Sequence, residues 1–528
     1  MLKRSTLIVL FCSIAAAACG DSDQPGGGGA GAGGGGQAGA PSAGGGGAEG
    51  GLGGDGGNGV EGGAGGAAGG AGGGPVCDPI AETCDGTDED CDGVIDDGLC
   101  STPALAGEVF IEGSGVDHVR GIAFDAAGNV YITGAVTGPA DFGDGASSGA
   151  HGYVASYAPS GALRWKRLWG SSSSGYDYGQ DVAASADKVC VAGAFAGTFD
   201  FGGGARVAGG FNDALVLCLD PADGSYLWDR AFGETLSEAA EGVAISSSGD
   251  VVATGTFENS ADFGGGAVAG QGFNDAFVAR WSGATGALQW ARTYSGTGSE
   301  RGQQLAVDAA DNVYVVGAFS SIIDFGGGAR DPGFMAPFIL SLDATGDYRW
   351  DVTQLSGANL TLYGVVAQAS GAIVVSGEFN GDLNLGGPIL PSETTDGLEL
   401  VVASLDSDGG FLWQYTPQGS ATSRGFGLAV GPADELVVAG SFDGTVTFGD
   451  APRTAAGMYD LFVVGLDATG HYAWDATFGG PEDEEGNAVA IDGAGKVAIG
   501  GGSWGDLDLG LASHTNAGSL DGILFYLE

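Results

Sequence analysis

One phrase recurs seven times along this chain, and its spacing limits the folds open to it. An apolar run ending in glycine is followed about eight residues later by a triplet whose fullest form is Asp-Phe-Gly. The copies are Asp141-Phe142-Gly143, Asp200-Phe201-Gly202, Asp262-Phe263-Gly264, Asp324-Phe325-Gly326, Asn384-Leu385-Gly386, Thr447-Phe448-Gly449 and Asp508-Leu509-Gly510. Successive copies lie 59, 62, 62, 60, 63 and 61 residues apart, a period too long for an ordinary solenoid repeat.

The fourth period shows the parts within each repeat. Leu305 to Val307 reads as a short apolar strand, Asn312 to Gly317 as a second, Pro337 to Leu342 as a third, and Tyr348-Arg349-Trp350 as the start of a fourth. Short links rich in Asp, Ala and Gly join first to second and third to fourth, so successive strands are antiparallel. Four antiparallel strands per period make a propeller blade. A fourth-strand tryptophan recurs at Trp165, Trp228, Trp290, Trp350, Trp413 and Trp474, six times against seven triplets. The last period ends with Asp521 to Leu527, a third strand, so its fourth must come from elsewhere. Glu108 to Gly113, just before the first period, aligns with the blade-ending Trp165 to Gly170 and can fill that place, leaving no sheet edge open. The expectation is an all-β, seven-bladed propeller over residues 102–528, closed by its N-terminal strand.

Strand alternation sorts the links by face. The links from second to third strands (137 to 152, 322 to 336) and those between blades (170 to 180, 480 to 487) emerge together and are long, so binding is expected on that face. An acid precedes the first strand in five blades: Asp117, Asp177, Glu238, Glu300 and Glu484. Blades five and six carry Leu360 and Ser423 there, and the same two blades have Asn384 and Thr447 in place of the triplet aspartate. Two readings stand for these acids: both sets serve one local network of loop hydrogen bonds or a cation, or, more plainly, each accepts backbone hydrogen bonds and pins its own loop. The triplet Phe or Leu reads as a core anchor between blades. Cys190 and Cys218 fall in the second and third strands of blade two, as a cross-strand disulfide or a pair of buried thiols.

The residues before the propeller divide into three. Lys3 and Arg4 followed by an apolar run from Leu7 through Ala18 form a secretion signal over 1–18. Its end, Ala16-Ala17-Ala18-Cys19, resembles a bacterial lipobox, which implies lipidation of Cys19 and a membrane held only through that anchor; Ala16-x-Ala18 equally suits ordinary signal peptidase and a secreted product. Residues 19–76 are nearly all Gly and Ala, a tether whose root-mean-square span is on the order of 40 Å. No later stretch reaches the roughly 20 apolar residues of a membrane helix.

Residues 77–101 are dense in carboxylates and framed by Cys77, Cys84, Cys91 and Cys100, whose three possible disulfide pairings the sequence leaves open. The order D-x-D-x-D-G-x-x-D lets one loop wrap a cation, with Asp88, Asp90, Asp92, Val94 and Asp96 as ligand positions. A standard EF-hand would need a glutamate where Leu99 stands. The stretch is similar to thrombospondin type 3 calcium loops and resembles the MopE-type metal-binding motif of secreted bacterial proteins. That family's name implies copper, but the segment holds no His or Met, and hard carboxylates favour Ca²⁺. An acidic, disulfide-stapled spacer without an ion is the plainer alternative.

The repeats resemble the bacterial seven-bladed beta-propeller repeat, through Gly128-Asn129-Val130-Tyr131-Ile132-Thr133-Gly134 and Asp275-Ala276-Phe277-Val278. The resemblance spans residues 107 to 528 and implies the fold; it carries no particular reaction. With 66 acidic against 17 basic residues and a formal charge of -49, nucleic acid is excluded as a partner and cations or basic partners are favoured. The four histidines, His118, His151, His471 and His514, show no metal-ligand spacing, and Ser171 to Ser174 no nucleophile-elbow pattern. The reading is a cell-envelope binding scaffold for a protein or glycan ligand, with a calcium-stabilised acidic module. The alternative is an extracytoplasmic hydrolase or lyase acting on polysaccharide or peptide at the propeller face.

Overall fold

The computed structural model describes residues 103–528 except 148, 150, 171–176, 235, 354–355, 394–396, 420, 450 and 512. Cys19 and the whole 77–101 segment, with its ligand positions and four cysteines, lie outside the described residues. Seven antiparallel sheets form the propeller, six of four strands and the closing one of five, extended by the short strand Ala140–Asp141. Blade 1 uses Asp117–Phe124, Val130–Val136, His151–Tyr157 and Leu163–Trp169, and the later blades repeat this order. The second and third strands of blade 2, Val189–Phe195 and Asp213–Leu219, are buried at every position, as central strands covered on both faces must be.

Closure follows the reading from sequence. Leu105–Gly113 pairs antiparallel with Asp521–Leu527, Phe110 opposite Ile523 and Ile111 opposite Gly522, and becomes the fourth strand of blade 7. Ala104 and Glu528 exchange backbone hydrogen bonds, so the two ends of the ring lock to each other.

The tryptophans explain why neighbouring blades stay in step. Four indole N–H groups reach the third-to-fourth turn of the next blade: Trp165 donates to the carbonyl of Pro221, Trp228 to Gly283, Trp290 to Ala344 and Trp350 to Ser407, over 2.8–3.1 Å. The indole face lies over a glycine of that turn. At Gly346, φ is +77°, and a side-chain carbon would come within 2.7 Å of Trp290. Only glycine meets both the left-handed turn and the close approach. At the junction of blades 7 and 1 the lock is absent, because the fourth strand there comes from the N-terminal segment; Gly161 of blade 1 faces Val109 instead, which a side-chain carbon at 161 would meet at an ordinary 3.6 Å.

The triplets open a small turn inside each long link. Asp141, Asp200, Asp262 and Asp324 each accept backbone N–H bonds from the glycines two and four residues on. The aromatic member turns inward: Phe263 is 1% exposed and packs edge-on against Phe232 of the preceding blade and tilted against Phe277 of its own, with centroids 4.9 and 5.1 Å away. Phe201 is the exception and is only half-buried. Cys190 and Cys218 stand directly opposite and are joined by a disulfide. No helix among the described residues is long and apolar enough to cross a membrane.

Candidate functional site on the long-loop face

The rim of this face is built from the hairpins that follow the triplets. In blades 2, 4 and 6 an arginine on the hairpin clamps an aspartate of the outermost strand with two N–H donors: Arg206 to Asp229, Arg330 to Asp351 and Arg453 to Asp475, at 2.6–3.3 Å. A tyrosine hydroxyl, from Tyr226, Tyr348 or Tyr472, donates to the same carboxylate. Such forked pairs fix geometry as well as charge, so the loops are held at defined heights.

Between hairpin and third strand, the chain exposes large apolar side chains. Phe211, Phe273, Phe334, Met335 and Met458 all stand one to two residues ahead of a third strand, and Phe334 is 87% and Phe273 74% exposed. Ile322 adds to the rim in blade 4. Beside them, between blades 3 and 4, lies a cleft of about 430 Å³. Its surface is hydroxyl-rich, from Ser295, Thr297, Ser320 and Ser321, with Gln271, Asp331, Ile322 and Pro332 at its edges.

The five acids expected on this face do not project from it. Asp117, Glu238, Glu300 and Glu484 are 0% exposed and Asp177 is nearly as buried. They lie at the start of, or one residue before, the first strand, at the seams between blades. Among the described residues, the groups they meet are not the triplets. The triplet aspartates close their own turns, and the seam acids face the residue that opens the third strand of the preceding blade. Asp117 meets Asp521, Glu238 meets Asp213, Glu300 meets Asp275 and Glu484 meets Asp460. Where the first-strand acid is replaced by Leu360, the corresponding residue of blade 4 is Ala336; where it is Ser423, that residue is Glu399.

Burying like charges side by side raises the affinity of each for a proton. Burial, reinforced by Asp521, pushes Asp117 up to about 7; burial and then Asp213 push Glu238 up to about 8; burial and then Asp460 push Glu484 up to about 7. Asp275 rises to about 6, mainly by burial with Glu300 adding to it.

Inside the ring, the first strands enclose a cavity of about 160 Å³ bounded by Arg120, Asp181, Gln304, Tyr363, Phe426 and Asn487. His118 is pushed down to about 3 by burial and by Arg120, so it stays neutral. His514 is buried and stacks on Phe110 at 3.8 Å, with its Nε2 2.9 Å from Asp521. These groups do not assemble a nucleophile with a base.

Fold and rim together define a closed seven-bladed propeller presenting a loop-built, partly apolar face. No family model matches the chain, and no curated protein does. Among solved structures it is similar to BamB from Moraxella catarrhalis, at 14% identity and a TM-score of 0.34, over 80% of this chain and 98% of that one. Quinohemoprotein alcohol dehydrogenase from Comamonas testosteroni is similar at 12% and 0.37, over 80% and 76%. Hydrazine synthase from Kuenenia stuttgartiensis is similar at 11% and 0.40, over 76% and 95%. Likenesses of this size identify neither an activity nor a ligand.

Proposed function

We propose that the protein is an exported binding scaffold, anchored through a lipid on Cys19, whose propeller takes a protein partner across its long-loop face. The observation that carries this reading is the apolar rim at blades 3 and 4. Phe273, Phe334 and Met335 are held out in solvent beside a hydroxyl-lined cleft, the last two on a loop that Arg330 clamps to the blade beneath. Exposed aromatic and Met side chains on a rigid rim suit a central contact patch, and the formal charge of -49 favours a partner with a basic surround. Residues 77–101 stand between tether and ring as a calcium-stabilised module with Asp88, Asp90, Asp92, Val94 and Asp96 as ligands. The resemblance of the repeats to the bacterial seven-bladed propeller family is consistent with this role and adds no reaction to it.

The test compares wild type with a Phe273→Ser, Phe334→Ser, Met335→Ser variant on peptide arrays, a glycan panel and chromogenic glycosidase and peptidase substrates. Peptide binding that the variant loses, with its melting temperature kept, supports the reading. Binding confined to glycans changes the ligand class. Turnover of a substrate that disappears on Asp331→Asn replaces the scaffold with a hydrolytic enzyme.

A further inference from the structure

Every first strand carries a β-bulge at the same place, and the bulges together build a ring of side chains around the central channel. Pairing of first with second strands skips one residue in each blade: Arg120, Gln180, Glu241, Gln303, Tyr363, Phe426 and Asn487. A residue left out of the ladder is released from the packing of its own blade, and bulges re-aim side chains in this way beside binding and active sites. The next residue is glycine or alanine in five blades, but blades 2 and 4 place Asp181 and Gln304 there.

Asp181, Gln304 and four of the bulge residues bound the cavity of about 160 Å³, and its wall has two kinds of surface. Tyr363 and Phe426, from blades 5 and 6, pack edge to face at 5.4 Å and make one side aromatic. Asn487, Arg120, Asp181 and Gln304, from blades 7, 1, 2 and 4, supply planar polar groups around the rest. Gln304 reaches over Gly242 of blade 3, where a side-chain carbon would come within 2.5 Å of its Oε1, and donates to Asp181. Asp181 also accepts the Val243 N–H at 2.9 Å. Arg120 donates to Gln180 at 3.0 Å and lies 4.9 Å over the Tyr178 ring, while its Nε is a buried donor without an acceptor. The charges offset one another, since Glu241 lies in the field of both Arg301 and Arg120.

We propose that this ring binds one neutral hexose, with its C–H face against Tyr363 and Phe426 and its hydroxyls toward Asn487, Arg120, Asp181 and Gln304. The cavity is close in volume to one that admits a single six-membered ring. A pyranose is two-sided as the wall is, apolar across its C–H face and lined at its edge by hydroxyls that both donate and accept. Arg120 offers donors, Asp181 acceptors and the two amides both, so each hydroxyl can be met in either role. An amino acid of similar size would bring two full charges to groups already balanced, and the formal charge of -49 disfavours an anion. The shared chemistry is a neutral pyranose, whether free or at the end of a glycan. The site is built on the first strands, apart from Phe273, Phe334 and Met335, so it stands or falls independently of the rim.

Calorimetry and saturation-transfer NMR on the full chain test it with glucose, galactose, mannose and their methyl glycosides, and with gluconate and phenylalanine as charged controls. At least one neutral sugar should bind saturably with a Kd on the order of 1 mM, and the controls at least tenfold more weakly. Arg120→Met, which keeps the apolar stem and removes the donors, and Phe426→Ala should each weaken that binding at least tenfold. Either variant is read where its melting temperature stays near that of wild type. The Phe273→Ser, Phe334→Ser, Met335→Ser variant should bind the sugar as wild type does. Methyl glycosides that bind as well as the free sugars support a site for a glycan end, and methyl glycosides that fail support one for the free sugar. No saturable sugar binding, equal binding of gluconate or phenylalanine, unchanged binding in the channel variants, or loss only in the rim variant overturns the proposal.

Discussion

Glu238 offers the sharpest test of how the blades are joined, through pH and a neutral isostere. Its ordinary value near 4.5 is raised to about 8 in the folded ring, with burial first and Asp213 second among the causes. The folded state therefore holds this proton more tightly than the unfolded chain. Its stabilising contribution is full below about 4.5 and is lost as pH rises through about 8. At about 1.4 kcal/mol for each pH unit the full span would amount to roughly 5 kcal/mol. The removal of Glu238 from water is only partial, so screening reduces this to on the order of 2 kcal/mol. With an unfolding entropy of about 2 cal/mol/K per residue, a ring of this size would shift by only about 2 °C for that energy. In EDTA, wild type should lose about that much more melting temperature between pH 5 and pH 9 than Glu238→Gln, which mimics the protonated form at every pH. Scanning calorimetry of both proteins across the range measures the difference. Parallel curves, or a wild type that gains on Glu238→Gln as pH rises, would show that the seam carboxylates are not competing for a proton.

Other perturbations read other parts of the account. Gly346→Ala should cost about 2–4 kcal/mol, because a methyl there both strains a left-handed turn and strikes Trp290; Gly371→Ala, at a similar φ with open space beside it, should cost only about 1–2 kcal/mol, and thermal melts compare them. Phe263→Ala should destabilise by about 3–5 kcal/mol and Phe201→Ala by clearly less, following their burial. Cys19→Ala should move the protein from the membrane fraction to the soluble one; unchanged partitioning removes the lipid anchor.

Much of the fold was legible because its determinants repeat. The triplet spacing, the six tryptophans and the unfinished last blade gave blade number and closure, and Leu105–Gly113 occupies the place reserved for it. The seam acids were visible as a repeated position, but their partners were not. Asp117 faces Asp521, at the far end of the chain, and Glu238 faces a residue in a different blade. Proximity across a closed ring does not show as proximity in sequence. A signal was present all the same: an acid opens the third strand at Asp213, Asp275, Asp460 and Asp521, and Ala336 stands where Leu360 replaces its counterpart. The apolar rim was hidden for another reason. Phe263 and Phe273 are ten residues apart in one link, one buried and the other 74% exposed, and only the turn pinned by Asp262 decides which points inward.

The claim that the long-loop face is the working face is tested most directly by photocrosslinking in cells that express the full chain. A benzophenone amino acid is placed singly at positions 273 and 334 on the apolar rim, and at 345 and 408 in the short turns of the opposite face. The account predicts a discrete protein adduct from 273 and 334 and none from 345 and 408. Adducts formed only from the short-turn positions, or equally from all four, would contradict it.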